Sequence, residues 1–276
     1  TSADLQRVCA KYLRPERATF LIYHPNTENP DASPVHWMNR FRSGLESTSV
    51  VRSDAVVKAT GLHKISLSNG SELWIKERRG VPLVSVGAFF RGGFSEEGTS
   101  RAGLTALMTR CLMKGTQSHD FVKYAEALES LAAHLDPVME DDYWGMALDC
   151  LSPKLPEAFA LMSEALLEPR FETAEVEKEK TLLLAALKRQ KDDPAEYGFL
   201  RSALLTYAGT SYAHEPLGTE RTVSSFSASD LRAWFKKGAK ADNLTWVVVG
   251  DVDSDEMKNL IEETYRKMPR GKLNKA

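Results

Sequence analysis

The sequence predicts an α+β fold, a mostly antiparallel sheet covered by helices on one side. Three observations lead there. Asn69-Gly70 stands between two alternating runs, His63 to Leu67 and Leu73 to Arg78, the strongest short-range signal of a β-hairpin. Two further runs, Val81 to Phe90 and Leu244 to Asp251, are apolar enough to be buried strands. The segments between them carry apolar residues at helical spacing, so the elements follow the order β-β-β-α-α-β-β-α-α-α-α-β-α, which packs helices on one side of a sheet.

Taken in order, Asp4 to Leu13 reads as a helix with Leu5, Val8, Cys9 and Tyr12 on its apolar face, ended by Pro15. Ala18 to Tyr23 follows as a strand. Residues 25–61 read as a linker, polar and broken by Pro25, Pro30 and Pro34, with Trp37, Met38 and Phe41 as one docking point. After the hairpin and the strand Val81 to Phe90 comes the stretch Gly103 to Thr116. Leu104, Leu107, Met108 and Cys111 make one helical face, and Ala106, Thr109, Arg110 and Met113 make a second. Lys114 and Gly115 close it. Asp120 to Ala133 is the next helix. Leu135 to Met139 and Asp142 to Leu151 are strands around an acidic turn. Lys154 to Leu167, Ala174 to Gln190 and Ala195 to Ala208 are helices; another is capped by Ser227 or Ser229. Asp253 to Lys267 is the last helix, closed by Met268-Pro269.

Composition limits the function. Hydrophobic residues make up 42% and charged residues 27% of the 276, enough for a globular core. A formal net charge of −2 and the lack of a basic block argue against nucleic acid as the main partner. No apolar run approaches the roughly 20 residues of a membrane span. The polar start, Thr1-Ser-Ala-Asp, is no signal peptide and looks like an internal cut in a longer protein, which leaves the compartment open. Cys9, Cys111 and Cys150 are scattered, which argues against a disulfide framework or a cysteine zinc site.

Candidate chemistry is sparse. The six histidines, His24, His36, His63, His119, His134 and His214, include no pair at ligand spacing on one helix. Glu140, Asp141 and Asp142 read as a solvated hairpin tip more readily than as a metal or acid-base cluster. Arg91-Gly92-Gly93 after a strand is a weak anion-cradle signal, since the full G-x-G-x-x-G fingerprint is missing. Trp144, Trp234 and Trp246 read as core.

The stretch G-L-T-A-L-M-T-R-C-L-M-K-G-T (103–116) resembles the G-x-x-H-x-x-E-H-x-x-x-x-G-T of the pitrilysin/insulinase zinc metallopeptidases, which include the mitochondrial processing peptidase. Phe90 to Glu97 resembles the loop before that helix, and Tyr212 to Thr219 resembles the family's H-P-Y-x-x-P-x-G-T loop. The resemblance puts Ala106, Thr109 and Arg110 where the family has histidine, glutamate and histidine. It puts the third ligand at Ala186, 76 residues after Arg110, and an accessory glutamate at Glu179. It therefore implies no catalytic residue and no cofactor in this segment, with zinc in the active half of the parent protein. An Arg110–Glu179 ion pair is one expectation for the vacated site. The implied organisation is a closing helix and strand of a preceding domain (1–24), a linker (25–61), an inactive peptidase-like domain (62–269) and a tail (270–276). The implied partners are an H-x-x-E-H half, in the same chain or another subunit, and peptide substrates. The family's substrate-binding Arg and Tyr would lie beyond Ala276. A periplasmic or mitochondrial-like compartment fits the family, and a purely structural core-protein-like subunit is the alternative.

Overall fold

The computed structural model describes residues 61–271, together with Asp4, Arg7, Val8, Lys11, Val35, His36, Asn39 and Ser43. The expected strand 18–23 lies outside the described residues. So does most of the expected helix 4–13, of which Asp4, Arg7, Val8 and Lys11 are helical. Within the segment read as a linker, Val35, His36, Asn39 and Ser43 are helical; its other residues, Gly61 apart, also lie outside. Residues 61–271 lie in one compact unit.

That unit starts with the hairpin of β1 (Leu62–Ser66) and β2 (Glu72–Glu77). Its turn is closed by the Gly70 N–H donating to the Leu67 carbonyl at 2.9 Å, and Gly70 has φ 96°. An L side chain rarely adopts that conformation, which is why Asn-Gly marks the turn. β3 (Leu83–Arg91) is followed by α1 (Leu104–Cys111) and α2 (Phe121–Ser130). The Asp120 side chain caps α2 by accepting from the Lys123 N–H. Then come β4 (His134–Met139), β5 (Tyr143–Leu151), α3 (Leu155–Leu167), α4 (Thr173–Asp192) and α5 (Pro194–Thr206). α6 (Glu220–Ser225), α7 (Ala228–Gly238), β6 (Leu244–Gly250) and α8 (Ser254–Thr264) complete the unit.

The six strands form one sheet in the order β1-β2-β6-β3-β5-β4. Every pairing is antiparallel except β2 with β6. Strand alternation sends Val84, Val86, Ala88 and Phe90 of β3 inward, with Trp144 and Met146 of β5 beside them. Helices cover that inner face: Phe159 of α3 and Tyr265 after α8 pack on Trp246 of β6, at 5.6 and 4.7 Å between ring centroids. The outer face leaves Leu83, Tyr143, Leu151, Val247 and Val249 exposed. The α+β class and one-sided cover are as the sequence predicts. α6 is an additional helix: it is short and polar, held by a capping box between Thr219 and Thr222, and has no amphipathic period to read. No described helix is long and apolar enough to cross a membrane.

Candidate functional site

The site is organised by α1, whose start is fixed by four contacts. The buried Glu97 carboxylate accepts from the N–H groups of Gly103, at 2.7 Å, and Thr105, satisfying donors that a helix N-terminus leaves without partners. Burial pushes the Glu97 carboxyl up to about 7, against the opposing pull of those N–H groups. Trp234 of α7 donates its Nε1–H to Thr105 Oγ1 at 2.9 Å. Gly103 (φ 89°) lies against the 212–219 loop so closely that a Cβ there would sit 2.6 Å from the Leu217 carbonyl oxygen. Thr222 of α6 completes the clamp, donating to the Ala102 carbonyl at 2.8 Å.

The loop before α1 is tied to the β4–β5 turn. The N–H groups of Gly92, Phe94 and Ser95 donate to the carbonyls of Asp142, Glu140 and Asp141. At the weak anion-cradle signal Arg91-Gly92-Gly93, the Gly92 N–H and those of the following Phe94 and Ser95 are thus taken up by the turn's backbone rather than free for an anion. Nor is the acidic turn only a solvated tip. Although Asp142 is exposed, its carboxylate accepts from the Tyr212 hydroxyl at 2.9 Å and from Ser95 Oγ at 3.2 Å, joining to the hairpin both loops that carry the resemblance. His214 is buried edge-on to Phe94 at 5.1 Å, and its Nε2 has no hydrogen-bond partner.

Ala106 and Thr109 are buried on α1, and Thr109 Oγ1 donates to the Thr105 carbonyl at 2.9 Å. Arg110 is half-buried, as is Ala186 on α4. Glu179 of α4 is 5% exposed. Its partner is Lys114 Nζ at 3.0 Å, not Arg110 as the sequence suggests. Lys114 lies one helical turn beyond Arg110 on the same side of this segment, and its ammonium also sits 4.6 Å over the Phe121 ring. A partly buried cation close to Glu179 thus offsets the cost of burying that carboxylate.

These residues do not fit zinc. Ala106 and Ala186 carry no donor atom, the Thr109 hydroxyl is engaged with its own helix, and Arg110 is a cation without a lone pair. Among the described residues no group of three or more His, Cys, Asp or Glu could hold a metal ion. What α1, α2, β4 and α4 border is an open-mouthed cavity of about 430 Å³, lined among others by Arg110, Lys114, Glu179, Tyr124, Leu128 and Leu135. Sequence reasoning missed two members of this site. Glu97 caps a helix from seven residues before its first turn, outside the local capping pattern. Lys114 was read as a C-terminal signal, although its spacing from Arg110 offers the same reach toward α4.

The described unit is an α+β domain with one face of its sheet covered by helices, as the resemblance implies. The chain belongs to the insulinase family, Peptidase family M16, whose model matches residues 75–219. A second model, the Peptidase M16 inactive domain, matches residues 225–276. The chain is 28% identical over 71% of its length, and 46% of the relative's, to the "Non-peptidase homolog YmxG" of Helicobacter pylori. It is 22% identical to the bovine mitochondrial "Cytochrome b-c1 complex subunit 1", over 72% of the chain and 41% of that protein. Among solved structures, a peptidase M16 inactive domain from Pseudomonas fluorescens superposes with a TM-score of 0.74 at 23% identity, covering 78% of this chain and 53% of that one. The chain spans about half the length of the curated relatives it matches.

Proposed function

We propose that this chain is a non-catalytic half of a zinc metalloendopeptidase, completing a substrate chamber and helping to hold peptide. The observation that carries the reading is α1 itself: a buried, firmly anchored family helix with Ala106, Thr109 and Arg110 at the ligand and base positions. Zinc and hydrolysis then belong to a partner half bearing H-x-x-E-H, in the same parent chain or a second subunit. Residues 62–269 form the inactive domain in this proposal, preceded by a domain-closing element (1–24) and a linker (25–61) and followed by a tail (270–276).

Peptide would be held as an added strand on β4, which ends the sheet. Glu140 donates its N–H to the Tyr143 carbonyl. By antiparallel alternation Val138, Asp136 and His134 also point their main-chain groups at β5, so those of Leu135, Pro137 and Met139 face outward. Pro137 has no N–H to offer, so the edge is interrupted and holding is weak.

The test is co-purification of the chain with the H-x-x-E-H half, alongside binding of extended peptides with and without chelator. The reading expects association with that half and weak, chelator-insensitive peptide binding; a chain with neither property would sink it. The name "Non-peptidase homolog" favours a second reading, a structural subunit with no proteolytic partner. Lack of an H-x-x-E-H sequence anywhere in the parent protein or its complexes would select it.

A further inference from the structure

We propose that the cavity beside α1 receives an acidic side chain of an extended peptide, with the Arg110 guanidinium pairing its carboxylate. This rests on the peptide-holding reading and adds a substrate class to it. Arg110 lines the 430 Å³ cavity, yet its guanidinium makes no hydrogen bond or ion pair with a protein group among the described residues. The neighbouring cation is already matched, Lys114 with Glu179 at 3.0 Å. His134 at the cavity wall is engaged with Asp136 at 2.7 Å. Glu129, the remaining acid on the wall, is exposed and forms no ion pair with Arg110. Among the described residues, one cation is therefore left without a paired acid in the cavity.

The surroundings strengthen what that cation can do. Met113, Phe121, Tyr124, Leu128 and Leu135 give the cavity an apolar lining, and a peptide laid across its mouth would displace water and raise the value of a charge pair there. A guanidinium presents a planar fork of donors matched to the two oxygens of a carboxylate. Leu135 and Pro137 belong both to the cavity wall and to the outward-facing side of β4. A peptide on that edge would thus pass the cavity mouth and could direct one side chain inward. A glutamate or aspartate would meet its counter-charge there; a lysine or arginine would meet repulsion.

The test uses two short fluorescent peptides, apolar apart from one central residue, acetylated and amidated so that no terminus is charged. One carries glutamate at the centre and the other glutamine. Anisotropy titration of the 276-residue chain should show the glutamate peptide binding about tenfold more tightly, the scale of one charge-assisted hydrogen-bonded pair. Arg110→Gln should bring the glutamate peptide to the level of the other and leave the glutamine peptide unchanged. Equal binding of both peptides to the native chain, or a gap that survives Arg110→Gln, overturns the proposal while the peptide-holding reading stands. Binding of neither peptide overturns both. The comparison on the native chain needs no variant, so a misfolded variant would not cloud it.

Discussion

Gly103 and Gly218 pack backbone against backbone. A Cβ on Gly103 would lie 2.8 Å from Gly218 Cα, and one on Gly218 would lie 2.3 Å from the Ala102 carbonyl oxygen. The two motifs most like the family's, far apart in sequence, are thus two sides of one contact. Both glycines also have positive φ, 89° and 81°. Gly218→Ala should cost on the order of 3 kcal/mol or more, since neither backbone can give way. Urea denaturation of the variant measures this, and a loss below about 1 kcal/mol would show that the contact relaxes.

Glu97 should make stability depend on pH. Its carboxyl stands at about 7 in the folded chain against an ordinary 4.5, so between those values the folded state holds a proton that the unfolded state has lost. Stability therefore falls as pH rises from 4.5 to 7 and levels off above, by about 3 kcal/mol if the whole shift is realised. Denaturation midpoints across that window should show the fall, and Glu97→Gln should flatten it.

Lys114 and Arg110 should respond differently to loss of charge. Lys114→Met leaves Glu179 buried without its cation and should cost about 2–3 kcal/mol. Arg110→Gln removes no ion pair and should stay within about 0.5 kcal/mol of the native chain. Thermal melts of both variants decide; equal losses would mean that Arg110 shares Glu179 in solution.

The chain should hold no zinc and cleave nothing. Four changes together, Ala106→His, Thr109→Glu, Arg110→His and Ala186→Glu, are required before metal uptake is expected, and activity should still lag behind uptake, because Glu179 is engaged by Lys114. Metal analysis after dialysis checks this. Stoichiometric zinc in the native chain would send the search to His119, His134, His214 and the 140–142 acids. Of these, His119 is paired with Glu164 at 2.8 Å and His134 with Asp136.

Much of the fold was legible because its signals are local. Asn69-Gly70 announced the first hairpin, and the spacing of Leu104, Leu107, Met108 and Cys111 announced α1. The parallel pairing of β2 with β6 was not legible, since it joins segments whose order in the sheet is set by the whole core. α6 escaped because six polar-rich residues show no period. In the site, the resemblance pointed to Arg110 and Glu179, but the partner of Glu179 was a matter of reach. Lys114 extends across to α4, and that geometry exists only once two helices have packed. The role of Asp142 was hidden for the same reason, as Tyr212 approaches it from 70 positions along the chain.

Pro137 also bears on how copies of the protein treat one another. An open sheet edge is a template on which another chain can continue, and repeated continuation builds a fibre. On β4 the missing donor falls between Leu135 and Met139, in the middle of the outward-facing row, and exposed Asp136 and His134 add polar side chains beside it. Two copies meeting along this edge would each leave a carbonyl facing a nitrogen with no hydrogen. The same missing donor that would weaken the hold on an added strand would also hinder neighbouring copies from stacking through β4.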